Sequence, residues 1–170
     1  MSDRIEKRVL LRAPVSRVWR ALTDPTEFGR WFGVEILDPF VPGAKVRGSF
    51  GADALPLDLI AAHQRSLGLE PSPVRPPPPG AHFCTVRRLE PETCFAFEWT
   101  PFGIDAAVAP DEPPTLVEFT LTPVAGGTEL RIVESGFDRI PAERRRRAFL
   151  MNDGGWAAQA ENIRRYVDGG

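Results

Sequence analysis

Apolar positions recur along this chain with two periods, and the switches between them outline its elements. From Ile5 to Arg12 charged and apolar residues mix as in a strand, which Ala13-Pro14 ends. Val15, Val18, Trp19 and Leu22 then fall at i, i+3, i+4 and i+7, one stripe of a helix whose first turn suits Pro14. Thr23-Asp24-Pro25 closes that helix and opens a second, Thr26 to Phe32, with Asp24 as its cap. Phe28, Trp31 and Phe32 give the second helix an aromatic face.

Val41-Pro42-Gly43 turns into a strand over Ala44 to Phe50. Leu55 to Leu69, apolar at Leu57, Ile60, Ala61 and Leu67 and opened by Pro56, reads as an inserted amphipathic helix. The proline-rich stretch from Pro71 to Gly80 lacks donors and has fixed φ, so it predicts an extended tether.

Hairpins follow. Ala81–Leu89 and Cys94–Thr100 flank Glu90-Pro91-Glu92-Thr93, with proline where a type I turn accepts it. This register sets Cys84 opposite Trp99, Val86 opposite Phe97 and Arg88 opposite Phe95, so Phe95, Phe97 and Trp99 share a face with Cys84 and Val86. After a loop from Pro101 to Pro114, Leu116–Thr122 and Thr128–Glu134 pair through a turn expected at Gly126-Gly127. Leu121 then opposes Ile132, and Phe119 opposes Glu134.

The chain ends as a long helix to Val167 with a stripe of Phe149, Trp156, Ala160, Ile163 and Val167. Its Gly154-Gly155 pair lowers helix stability by about 2 kcal/mol, which a kink, a hinge or a close neighbour would accompany. Strand, two short helices, about five strands and a long helix predict an α+β fold: a curved antiparallel sheet wrapped around the C-terminal helix.

Composition sets bounds. The 170 residues predict one domain over 1–170, with the inserted helix and proline-rich loop at about 52–80. A hydrophobic share of 42% and a charged share of 26% are those of an ordinary soluble globule. A net charge of -2 argues against a nucleic-acid partner. No run of about 18 apolar residues occurs and the N-terminal stretch shows no signal segment, so a cytoplasmic protein without membrane insertion is expected. Cys84 and Cys94 match no metal or redox spacing and point to opposite sheet faces, so both are expected as reduced thiols.

The segments Ala13-Pro14-Val15-Ser16-Arg17-Val18-Trp19, Thr23-Asp24-Pro25, Trp31-Phe32, Thr115–Phe119, Glu134-Ser135-Gly136-Phe137 and Asn152-Asp153-Gly154-Gly155-Trp156 together resemble one superfamily. It is the START-like, or SRPBCC, polyketide-cyclase-type superfamily. Within it the chain is similar to the bacterial branch homologous to the activator of a heat-shock chaperone ATPase. The resemblance covers most residues outside about 52–80. It implies a helix-grip fold with a cavity between sheet and long helix, binding lipids or other apolar molecules in some members and catalysing cyclisation or hydrolysis in others. The co-chaperone that names the branch carries an additional domain not found in these 170 residues, so a chaperone partner is not expected; a homodimer stays open. The 52–80 insertion departs from the short connection the resemblance implies, and could cover one end of the cavity.

Trp31, Phe32, Phe97, Trp99, Phe119, Phe149 and Trp156 are the candidate ligand-binding residues, a predominantly apolar lining of the kind small-molecule sites use. The competing reading is plain core. Glu134 faces inward by the hairpin argument and is the weak catalytic candidate, a cavity carboxylate placed as a general base. His63 and His82 stand in no triad or ligand spacing, Arg144–Arg147 reads as a solvated helix face, and Asp105, Asp111 and Glu112 lack calcium-loop spacing. No metal or cofactor is expected. The leading function is binding of a small apolar molecule, with a Glu134-dependent hydrolase or cyclase and a stress-response interaction module as alternatives.

Overall fold

The computed structural model describes residues 3–50 and 57–169. Leu55 and Pro56 of the expected inserted helix lie outside them. Strand β1 (Arg4–Leu11) turns Ile5 and Leu11 inward and leads to α1 (Val15–Thr23) and α2 (Pro25–Phe32). Between the helices the Asp24 carboxylate accepts the Glu27 N–H at 3.0 Å, and Pro25 occupies a position where no donor is missed. Helix α2 ends at Gly33, left-handed with φ 93°, whose N–H bonds the Gly29 carbonyl. Glycine is required at 29, because a Cβ there would stand 2.2 Å from the Val34 carbonyl oxygen.

The short strand β2 (Glu35–Ile36), absent from the periodicity reading, precedes β3 (Lys45–Ser49). Two residues carry too little pattern to be seen. Helix α3 (Leu57–Ser66) follows, then β4 (Ala81–Glu90), β5 (Cys94–Trp99), β6 (Thr115–Val124) and β7 (Gly127–Ser135). A 3-10 turn at Phe137–Arg139 leads into α4 (Ala142–Asp168). The seven strands form one antiparallel sheet in the order β1-β7-β6-β5-β4-β3-β2, curled around α4 in a helix-grip arrangement.

Both long hairpins keep their expected faces but change register. Across β4 and β5, Val86 opposes Phe97 as expected, yet Leu89 rather than Arg88 opposes Phe95. An irregularity between Val86 and Arg88 absorbs the extra residue, and Glu92 takes up a left-handed φ of 59° in a three-residue loop. Across β6 and β7 the turn residues are Ala125 and Gly126, so Leu121 opposes Leu130, Phe119 opposes Ile132 and Val117 opposes Glu134. Gly127 serves the sheet instead of the turn: a Cβ there would lie 1.9 Å from the Leu11 carbonyl oxygen on β1. The shift is two residues along one strand, an even number, so Glu134 still points inward.

The concave face is a continuous aromatic core. Phe28, Phe95, Phe97 and Phe119 are fully buried, with Phe95 and Phe119 stacked at 5.9 Å and Phe28 edge-on to Trp31 at 4.9 Å. Helix α4 runs unbroken through Gly154-Gly155. A neighbour does approach: a Cβ on Gly154 would meet His63 Nε2 of α3 at 3.2 Å. Leu57 and Leu59 of α3 are exposed, while Gln64 is fully buried and holds the proline tether by accepting the Ser72 N–H and donating to its hydroxyl. Of the expected stripe, Leu57 is exposed while Ile60, Ala61 and Leu67 are half-buried.

Candidate functional site

A buried carboxylate stands where β7, β5, β6 and α4 converge. Glu134 is fully buried, and four neutral donors surround it. Trp156 Nε1 donates to Oε1 at 2.8 Å, and Trp99 Nε1 donates to Oε2 at 2.8 Å. The Thr115 hydroxyl donates to Oε2 at 2.6 Å, and Asn152 Nδ2 lies 2.9 and 3.1 Å from the two oxygens. No lysine, arginine or histidine among the described residues pairs with it. A carboxylate has about four acceptor sites, so these four donors satisfy it. The arrangement ties β5, β6, β7 and α4 to one side chain.

Each donor is placed by local structure. Asn152 and Trp156 are four apart on α4 and therefore share a face. Trp99 and Thr115 are direct partners across β5 and β6. Trp99 and Trp156 then meet with ring centres 5.5 Å apart. The Asn152–Trp156 motif is thus a set of contacts: Asp153 accepts from Lys7 Nζ of β1 at 2.9 Å, and Gly154 admits His63.

Open space lies beside this anchor. Aromatic rings fill much of the space between sheet and α4, and open volumes border Asn152 and Trp99. A cleft of about 410 Å³ is walled by Phe32, Phe83, Trp99, Phe102, Ile104 and Asn152 among others, and a smaller one of about 170 Å³ lies against Trp156, Gly155 and Gln159. Phe32, Trp99 and Asn152 border both. Of the seven sequence candidates, Phe32, Trp99 and Trp156 reach these clefts. Phe97 and Phe119 lie in the buried core, Trp31 donates its indole N–H to the Ala21 carbonyl at 2.8 Å, and Phe149 packs edge-on to Phe137 at 5.2 Å.

The outer wall is built from loops, and an arginine holds it. Arg144 is almost wholly buried, not on a solvated face as the arginine run suggested. Its guanidinium donates to Glu112 Oε1 at 2.6 Å and Oε2 at 2.5 Å, and to the carbonyls of Pro101 and Phe102 at 2.6 and 3.3 Å. Asp105 Oδ2 stands 3.5 Å away. Asp105 and Glu112 are therefore clamp residues. Neighbouring Arg145 bonds the Ile140 and Asp138 carbonyls, so the run divides its work between loops. The clamped loop pairs with the proline tether through Val74 and Asp105, and Arg75 N–H meets the Ile104 carbonyl at 2.5 Å. Phe102, on the cleft, is held at a left-handed φ of 45°, a strained setting for a phenylalanine.

The titratable groups nearby are subdued. Burial first, and the Lys45 charge second, hold His82 on the cleft rim below its ordinary range. Burial pushes the Cys84 thiol up to about 12, and Cys94 moves the same way, also chiefly through burial. Both cysteines are free. Among the described residues, no group of three or more His, Cys, Asp and Glu could hold a metal ion, and no helix is long and apolar enough to cross a membrane.

A curled antiparallel sheet gripping a long terminal helix is the helix-grip fold of the SRPBCC type. The chain belongs to the family of Activator of Hsp90 ATPase homolog 1-like proteins, whose model matches residues 79–168. Among solved structures it is similar to DynU16, a protein in the dynemicin biosynthetic locus, at 26% identity and a TM-score of 0.66. That match covers 98% of this chain but only 48% of DynU16, so the chain spans about half of that relative's length. It is also similar to a protein from Mesorhizobium loti, at 23% identity and TM-score 0.66, covering 97% of this chain and 96% of that one. A protein from Chromobacterium violaceum matches at 21% identity and TM-score 0.61, covering 99% of both chains. No curated protein matches.

Proposed function

We propose that the protein binds a small, flat, largely apolar molecule in the cleft beside Asn152, without catalysing its conversion. The carrying observation is the 410 Å³ cleft walled by aromatic and aliphatic side chains with few polar groups, the usual make-up of a small-molecule site. Apolar surface removed from water there contributes about 25 cal/mol per Å² before ordering costs. The family supports a binding role in general terms, and a relative in a biosynthetic locus fits work on small molecules. Glu134 favours binding over a hydrolase or cyclase reaction, because its acceptor sites are already taken by Trp99, Thr115, Asn152 and Trp156.

The test fills the cleft. Naphthalene titrated into the intact protein is expected to give saturable heat of binding, and Ile104→Trp, which places a large ring in the wall, is expected to weaken it at least about tenfold while the thermal transition is kept. Unchanged affinity in that variant would remove the cleft from the proposal. Native mass spectrometry of protein purified from its host would then look for a retained guest elsewhere.

A further inference from the structure

We infer that Glu134 sets the polarity of the cleft by holding the Asn152 amide in one orientation, so that the site selects guests carrying a hydrogen-bond donor. This deepens the binding reading above and rests on it. An asparagine amide can usually be turned end for end with little change in shape, and its neighbours decide which end faces where. Here the neighbour is a carboxylate, which accepts only, so the NH2 end must face Glu134. The 2.9 and 3.1 Å distances from Nδ2 to both oxygens match that orientation.

The oxygen end is then left for the cleft. Asn152 is half-buried, borders both open volumes, and no described residue donates to its Oδ1. The other polar groups on the wall sit at the rim: Thr100 and His82 are exposed, and His82 Nε2 is engaged with the Thr85 hydroxyl at 2.9 Å. An acceptor on a wall shared with Phe32 and Trp99 therefore faces any flat guest that settles there. A guest hydroxyl or N–H satisfies it. An ether or carbonyl oxygen in the same place leaves two acceptors facing each other, the kind of unpaired polar contact that discriminates most strongly. Glu134 touches no guest in this arrangement and is a positioning residue; Asn152 is the specificity-determining one.

Calorimetric titration of the intact protein with 1-naphthol, naphthalene and 1-methoxynaphthalene tests this. The expected result is 1-naphthol binding about three- to tenfold tighter than 1-methoxynaphthalene, although it is the less hydrophobic of the two. Asn152→Leu, which keeps size and removes the amide, is expected to abolish that preference. Glu134→Gln puts a donor opposite Asn152, frees the amide to turn, and is expected to move the ratio towards parity; if this variant fails to fold, Asn152→Leu decides. A ratio at or below one in the unaltered protein, or a preference that survives Asn152→Leu, overturns the inference while binding itself stands. If none of the three compounds binds, both the inference and the binding reading fall.

Discussion

Trp156 donates its indole N–H to Glu134 across 2.8 Å, joining the terminal helix to the last strand through a bond shielded from water. Trp99 bonds the same carboxylate from β5, so one side chain sets the separation of sheet and helix and the pose of both indoles. The helix grip therefore has a polar pin inside an otherwise aromatic interior.

Removing the pin is expected to be severe. Glu134→Leu strands four buried or half-buried donors, each costing about 1–3 kcal/mol when left without a partner. A net loss of at least about 3 kcal/mol is expected from denaturant unfolding, together with a loss of near-ultraviolet ellipticity from the two indoles. Stability within 1 kcal/mol of the parent would show that the network contributes nothing.

Among the arginines at the start of α4, Arg144 and Arg146 are expected to behave oppositely. Arg144→Met leaves Glu112 and Asp105 buried without their cation, a change that costs about 3–5 kcal/mol when one partner of a buried pair is lost. Arg146 is exposed, and Arg146→Ala is expected to stay within about 0.5 kcal/mol. Proteolysis should cut the loop between Pro101 and Pro114 faster in the first variant only.

Gly155 offers a stabilising change. It lies inside α4, and a Cβ there meets nothing within 4 Å. Gly155→Ala is expected to raise stability by about 0.5–1 kcal/mol, as alanine does over glycine in a helix. A drop in melting temperature would mean that the glycine accommodates something the fold needs.

Acid should weaken the convex face. Hydrogen bonds from Arg131, then Arg8, hold Glu6 at about 2, and the Arg47 side chain and N–H hold Asp38 at about 2. Both folded values lie below the ordinary carboxylate range near pH 4, so their stabilisation is complete above that range and is lost as pH falls towards 2. Urea midpoints of the protein and of a Glu6→Gln, Asp38→Asn variant are expected to differ at pH 5 and converge near pH 2. Parallel curves across that interval would contradict the assignment.

Much of this architecture is legible along the chain. The stripe of Val15, Val18, Trp19 and Leu22, the Asp24 cap and the alternation of Phe95, Phe97 and Trp99 each declare a face through neighbours a few residues apart. The same alternation points Glu134 inward, and it does point inward, because the expected and observed hairpin registers differ by an even number of residues. The donors around it were not legible, although Asn152 and Trp156 at a spacing of four were a usable hint. Trp99 and Thr115 arrive from other strands, and nothing local to them reports the rotation of α4.

Arg144 makes the same point more sharply. Four consecutive arginines look alike on paper, yet one is buried on two carboxylates from a distant loop while another faces solvent. Periodicity specifies which side of an element is apolar, because that depends on spacing within one helix or strand. Which polar groups meet inside, and where packing leaves a hollow, depends on how separate elements are brought together. For this protein the grip was written in the pattern of residues, whereas the pin, the clamp and the displaced cleft exist only once the elements have closed on one another.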